Sequence, residues 1–259
     1  MIEHRVVQNT PEWMRLRAGI PTASAFDRII TPKGLKLSAA RENYLDELLA
    51  EWIQGCPSDN PQTPHMRDGH DREEQTAAAY ELRTGLELEP CGFYTTDDGR
   101  AGASPDRRVV GVNRGVEVKS PQLKHHVAYM RGAGLYDEHR IQIYGQIWVC
   151  KFEGVDITSW NELVPASAVV IVQAHRDDTI TEPKTNKEIG IVETIAAAVN
   201  QFCNEIAEAK IQIEQKYGKI AKPMQVALSQ SEPDPFGITE EDLEAYIAAK
   251  KPLWSESNG

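Results

Sequence analysis

Apolar positions along this chain follow two periods. Over "SAARENYLDELLAEWIQG", residues 38–55, Tyr44, Leu45, Leu48, Leu49, Trp52 and Ile53 repeat at helical spacing, which predicts a helix capped by Ser38. "TPEWMRLR" predicts a shorter helix, with Thr10 as its N-cap and Pro11 in the first helical position. "TASAFDRII" continues as a second short helix, and "DGHDREEQTAAAYELRTG" as another that ends at Gly85. The pattern then shortens. "LELEPCGFYTT", "AGASPD", "DRRVVGV" and "RGVEVKS" predict short strands divided by Gly, Asp and Asn. Helical spacing returns in "LKHHVAYMRG" and "DEHRIQIYGQIWVCK". Strands follow near "VDITSW" and "SAVVIVQAH", and a long helix covers 187–218. This order predicts an α/β fold with helices flanking one central sheet.

Two segments break the pattern as loops, "TPKGLKL" at 31–37 and "PSDNPQTP" at 57–64. From Lys222 the composition shifts to a linker, followed by a short helix that starts at Thr239-x-x-Asp242. The expected division is therefore a main domain over 1–221 and an acidic appendage over 222–259. No run of eighteen apolar residues exists, and the first ten residues lack an apolar leader core. A cytoplasmic protein with no membrane partner is expected.

Charge alters the picture. The formal net charge of −11 argues against a polyanionic partner. Its distribution argues the other way. Residues 1–41 hold seven Lys/Arg against three acids, and residues 100–151 hold nine against four. Two basic segments can line one groove while an acidic exterior repels stray polyanions. The four cysteines, Cys56, Cys91, Cys150 and Cys203, include no C-x-x-C pair, so they predict reduced thiols rather than a zinc or iron–sulfur site.

The chemistry concentrates in "SPDRRVVGVNRGVEVKSP", residues 104–121. Asp106 and Glu117 meet if the two strands pair. Lys119 then shares a face with Glu117, while Val118 points into the core. Hard divalent cations take oxygen ligands, and the Val118 carbonyl supplies a third beside the two carboxylates. A metal there activates water for phosphodiester hydrolysis, and the lysine orients that water or stabilises developing charge. A solvated cross-strand charge pair is the plainer use of E-x-K; the "SPD" upstream is what favours the site.

This stretch resembles the PD-(D/E)xK nuclease motif. More narrowly it is similar to the lambda-exonuclease and YqaJ-type viral recombination nucleases, whose pattern is S-P-D-G followed by G-L-E-[IL]-K-C-P. Here Arg107 replaces the glycine and Ser120 the cysteine. Three further blocks match in order. "WMRLRAGIPTAS" resembles the block whose arginine and serine hold a 5′-terminal phosphate, which implies that role for Arg17 and Ser24. Arginine pairs phosphate bidentately, and Ser24 stands where a helix opens. "DGHDREEQ" resembles the G-x-x-x-E helix; Gly69 points to Glu73, with Glu74 as neighbour, as the glutamate near the metals. "HRIQIYGQIWV" resembles the Q-x-Q-x-x-[ML]-W-V helix and implies Gln142, with Gln146 as alternative, for the nucleophilic water.

The resemblance implies a restriction-endonuclease-like core with a mixed central sheet. It implies a Mg²⁺-dependent, 5′-to-3′ exonuclease acting on double-stranded DNA ends, with Mn²⁺ as a substitute metal. Asp106, Glu117, Val118 and Glu73 would bind metal, and Lys119 and Gln142 would place the water. Lys33 and Lys36 would touch the DNA backbone or the duplex end. A homotrimeric ring and a single-strand annealing protein are the implied partners, in a bacterial host cytoplasm for a phage or prophage protein. His125, His126 and His139 are read as surface or DNA-facing. An endonuclease on the same core and a non-catalytic DNA-end binder are the alternatives.

Overall fold

The computed structural model describes residues 1–57, 64–181 and 186–220, with the backbone alone for 64–71. The expected appendage at 222–259 and most of the 57–64 loop lie outside the described residues. In chain order the elements are β1 (Ile2–His4), α1 (Pro11–Arg17), a 3₁₀ helix (Ala23–Arg28), α2 (Arg41–Gln54), α3 (Pro64–Thr84) and β2 (Leu88–Pro90). Then come β3 (Phe93–Thr95), β4 (Gly102–Ala103), β5 (Arg107–Val109), β6 (Arg114–Lys119), α4 (Leu123–Met130) and α5 (Leu135–Cys150). The last are β7 (Gly154–Ser159), β8 (Val170–His175), β9 (Thr179–Thr181), β10 (Glu188–Gly190) and α6 (Ile191–Tyr217).

The main sheet runs β2-β5-β6-β7-β8, and only β6 and β7 pair in parallel. It is therefore the mixed central sheet expected, with helices on both faces. Alternation along β6 explains why it sits in the middle. Val116 and Val118 pack with Tyr80 of α3 and Val109 of β5 on one face. Glu117 turns to the other face, where Gln142 and Gln146 of α5 meet it. Behind α5, α6 and α2 close the larger core, which includes Phe26, Tyr144, Ile147, Ile195 and Phe202.

Local chemistry accounts for two of the boundaries. Thr10 caps α1 by accepting from Trp13 N at 3.3 Å, with Pro11 first in the helix. Gly85 (φ +71°) ends α3 in a left-handed turn that disfavours a Cβ. Gly145 serves packing instead. A Cβ there would lie 2.6 Å from the Phe26 ring, so the glycine lets α5 close on the 3₁₀ helix.

Several elements differ from expectation. Ser38 does not cap α2; the cap position is Ala40, and Ser38 Oγ accepts the Ala40 N–H two residues earlier. Helix α3 starts at Pro64, before Asp68, because proline suits a first helical turn. Residues 188–190 leave the long helix to pair with β9. Strand β1 pairs with β3. Cys56, Cys91, Cys150 and Cys203 are free thiols, the last three buried. Among the described residues, no helix is long and apolar enough to cross a membrane.

Candidate active site

The register β5–β6 decides where the acids meet. Arg107 pairs with Val116, so Asp106, the residue before β5, falls beside Glu117. Its Oδ2 accepts the Val118 N–H at 2.7 Å, replacing the ladder bond that β5 is too short to make. In a strand, one residue's N–H and C=O point toward the same neighbour. The Val118 carbonyl therefore faces the same gap as the Asp106 carboxylate.

Glu117 is 2% exposed. Its Oε1 accepts from Lys119 Nζ at 2.7 Å and Gln142 Nε2 at 2.5 Å, and its Oε2 accepts from Gln146 Nε2 at 2.5 Å. Both glutamines thus reach Glu117 from successive turns of α5. Gln146, which lines the cavity described below, keeps a buried Oε1 with no hydrogen-bond partner among the described residues. Burial, then the nearby Glu117, raises the Asp106 carboxyl well above the ordinary range. Burial pushes the Lys119 ammonium down, but Glu117 and Asp106 outweigh it and leave its pKa raised.

Arg17 and Ser24 reach the same place from the N-terminal block. A cavity of about 190 Å³ is lined by Arg17, Ser24, Asp106, Glu117, Gln142 and Gln146, among others. The Arg17 guanidinium lies over the Trp13 ring at 4.1 Å, and Trp13 Nε1 donates to Ser104 Oγ at 2.9 Å. Arg17 Nη2 donates to Thr22 Oγ1 at 3.4 Å, and that oxygen lies 3.3 Å from Ser24 Oγ. Burial lowers the Arg17 pKa from its very high ordinary value, which leaves it cationic. A second cavity of about 690 Å³ shares Asp106 and Gln8 with the first and includes Glu73, Glu74, Arg107 and Arg108 in its lining.

Lys33 and Lys36 are exposed on the 31–37 loop and do not line the 190 Å³ cavity. That loop is tied to α5 by Arg140 Nη1 donating to the Pro32 carbonyl at 3.2 Å. His126 departs from the surface reading. It is fully buried, its Nδ1 3.0 Å from Ser159 Oγ. His139 is half-buried one turn before Gln142; burial, then Lys119, depresses its pKa to about 4. Sequence reasoning also passed over Trp13 and Thr22, although both belong to the block read for Arg17 and Ser24. It passed over Gln8 too, whose Nε2 donates to the Pro105 carbonyl at 3.2 Å and which lines both cavities. No motif marks Gln8.

The donor set suits a hard divalent cation that keeps several waters. Among the described residues, no three His, Cys, Asp or Glu side chains converge on one point. Two carboxylates, the Val118 carbonyl and the orphaned Gln146 oxygen do share the region. All are oxygen donors, which favours Mg²⁺-like over thiophilic metals.

The comparisons with known proteins agree with this architecture. The alkaline exonuclease LHK-Exo of Laribacter hongkongensis superposes with a TM-score of 0.67 at 24% identity, covering 82% of this chain and all of that one. The same protein in complex with dAMP gives the same values. A phage-related exonuclease from Haemophilus somnus 129PT gives 0.54 at 15% identity, covering 73% of this chain and 96% of that one. These likenesses show the fold. No curated protein sequence matches the chain significantly. The model of the YqaJ-like viral recombinase domain matches residues 12–153, more than half of the chain and all four blocks that carry the resemblance. The chain belongs to the YqaJ-like viral recombinase family of PD-(D/E)xK-like nuclease domains.

Proposed function

We propose that this protein is a divalent-metal-dependent deoxyribonuclease that digests linear double-stranded DNA from 5′ ends, leaving 3′ single strands. One observation carries the reading. A single 190 Å³ cavity is lined by Arg17 and Ser24 together with Asp106, Glu117 and Gln142. An enzyme that measures from a terminal phosphate needs an anion-binding wall beside its hydrolytic wall. Mg²⁺ held by Asp106, Glu117 and the Val118 carbonyl would supply an activated water and neutralise phosphate charge.

The chain's own residues do the rest. Gln142, Gln146 and Lys119 fix the Glu117 carboxylate through both of its oxygens. Lys119 and Gln142 stand where an attacking oxygen or a phosphate oxygen would need donors. Arg17, braced on Trp13 and Thr22, presents a preorganised guanidinium to the 5′-terminal phosphate. Glu73 adds a carboxylate on the side of the larger cavity.

Arg17→Ala is expected to slow digestion of 5′-phosphorylated duplex by about 10–100-fold, the size of one charge-assisted contact, and of 5′-hydroxyl duplex far less. Single-turnover rates on the two substrates check this. Equal slowing of both would make Arg17 a general backbone contact.

Assembly belongs to the same proposal. A chain of net −11 repels DNA at long range, whereas a homotrimeric ring can gather the basic segments toward a central channel. Light scattering after size exclusion should return the mass of three chains, and a monomer at micromolar concentration would remove the ring. The 3′ strand emerging from such a channel suits a single-strand annealing protein.

A further inference from the structure

Two of the residues at which this chain departs from the nuclease motif it resembles touch the same helix. Where the pattern has glycine after the aspartate and cysteine after the lysine, this chain has Arg107 and Ser120. Arg107 Nη1 donates to the main-chain carbonyl of Asp106 at 2.8 Å, and its Nη2 pairs with Glu74 of α3. Ser120 Oγ lies 2.8 Å from Thr76 Oγ1 of α3, and Thr76 is fully buried. The two bonds therefore grip α3 at residues 74 and 76. Glu73 adjoins the first grip and lies three residues before the second, on the same helical face as Thr76. It lines the larger cavity with Asp106, and its charge is felt by both Asp106 and Lys119.

We propose that Arg107 and Ser120 are positioning residues that clamp α3 across the Asp106 turn and the end of β6, setting Glu73 at a fixed place beside the metal site. This rests on the active-site reading above. Tyr80 already holds the later part of α3 on the sheet; the two tethers act near Glu73. Tethers at residues 74 and 76, one from β5 and one from just beyond β6, fix both rotation and axial shift there. The Glu74 carboxylate is 81% exposed, so as an ion pair it adds little stability. What the Arg107 contact adds is orientation, because the same guanidinium holds the Asp106 peptide.

The test uses the full chain and reads metal affinity twice. One readout is the Mg²⁺ concentration that gives half-maximal hydrolysis of linear duplex. The other is the Ca²⁺ concentration that gives half-maximal rise in melting temperature without DNA. Arg107→Gly and Ser120→Ala should each raise both midpoints by about tenfold, as partners that orient metal ligands do, with KM for DNA unchanged. In a Glu73→Ala background neither should add a further shift, because what they position is gone. Should glycine at 107 prevent folding, Arg107→Gln keeps an unbranched polar side chain there and loses the charged fork.

Unaltered metal midpoints with a lower melting temperature would overturn the clamp. So would shifts of equal size with and without Glu73. The underlying site is checked separately by Asp106→Ala, which should lose the Ca²⁺ response altogether; a retained response overturns the active-site reading itself.

Discussion

Lys119→Ala is expected to reduce DNA hydrolysis by roughly 10²–10³-fold, the loss that follows removal of one preorganised donor to developing charge. Lys119 is the one cation bonded to the Glu117 carboxylate among the described contacts, with Nζ 2.7 Å from Oε1. It stands on the β6 face that carries Glu117, and its side chain remains 26% exposed, so it can meet substrate. The loss should fall on the chemical step. DNA binding, measured by fluorescence anisotropy with Ca²⁺ in place of Mg²⁺, should weaken far less. Asp106→Ala should abolish hydrolysis altogether, since it removes a carboxylate and unties the Val118 N–H. Near-normal cleavage by Lys119→Ala would take β6 out of the active site.

Asp156→Ala should cost about 3–5 kcal/mol of stability, the range for leaving a buried charge without its partner. Asp156 is 1% exposed on β7, beside Val116 of β6. Its Oδ1 accepts from Arg114 Nη1 at the start of β6, and its Oδ2 accepts from Tyr80 OH of α3 at 2.7 Å. Alanine would strand the guanidinium and the phenol together, on the sheet face opposite Glu117. Urea unfolding should show a lower midpoint with an unchanged slope. A loss below about 1 kcal/mol, the scale of an exposed pair, would mean that water reaches the network.

Much of this architecture was legible in the sequence because its signals are local. The Thr10–Pro11 cap, the i/i+2 alternation of Val116, Glu117, Val118 and Lys119, and the helical spacing over 41–54 each show within a few residues. What escaped depends on partners far along the chain. Strand β1 has three residues and is defined by pairing with β3, about ninety positions later. The β9–β10 hairpin hides because "EIG" continues the apolar spacing of α6. His126 was misplaced because a histidine in an amphipathic helix carries no sign of which face is covered; Ser159 on β7 decides it. The cluster of Asp106, Glu117, Lys119 and Gln142 was anticipated from spacing and resemblance. That both glutamines engage Glu117, from opposite oxygens, required the register of α5 against β6.

The central claim is tested most directly by one substrate panel. Linear duplex with 5′-phosphate, linear duplex with 5′-hydroxyl and covalently closed circular duplex are each incubated with the protein in Mg²⁺ and in EDTA. The account predicts rapid loss of the 5′-phosphorylated linear form, slower loss of the 5′-hydroxyl form, an intact circle, and no hydrolysis in EDTA. Cleavage of the closed circle at a rate comparable to the linear duplex, or hydrolysis that persists in EDTA, would contradict it.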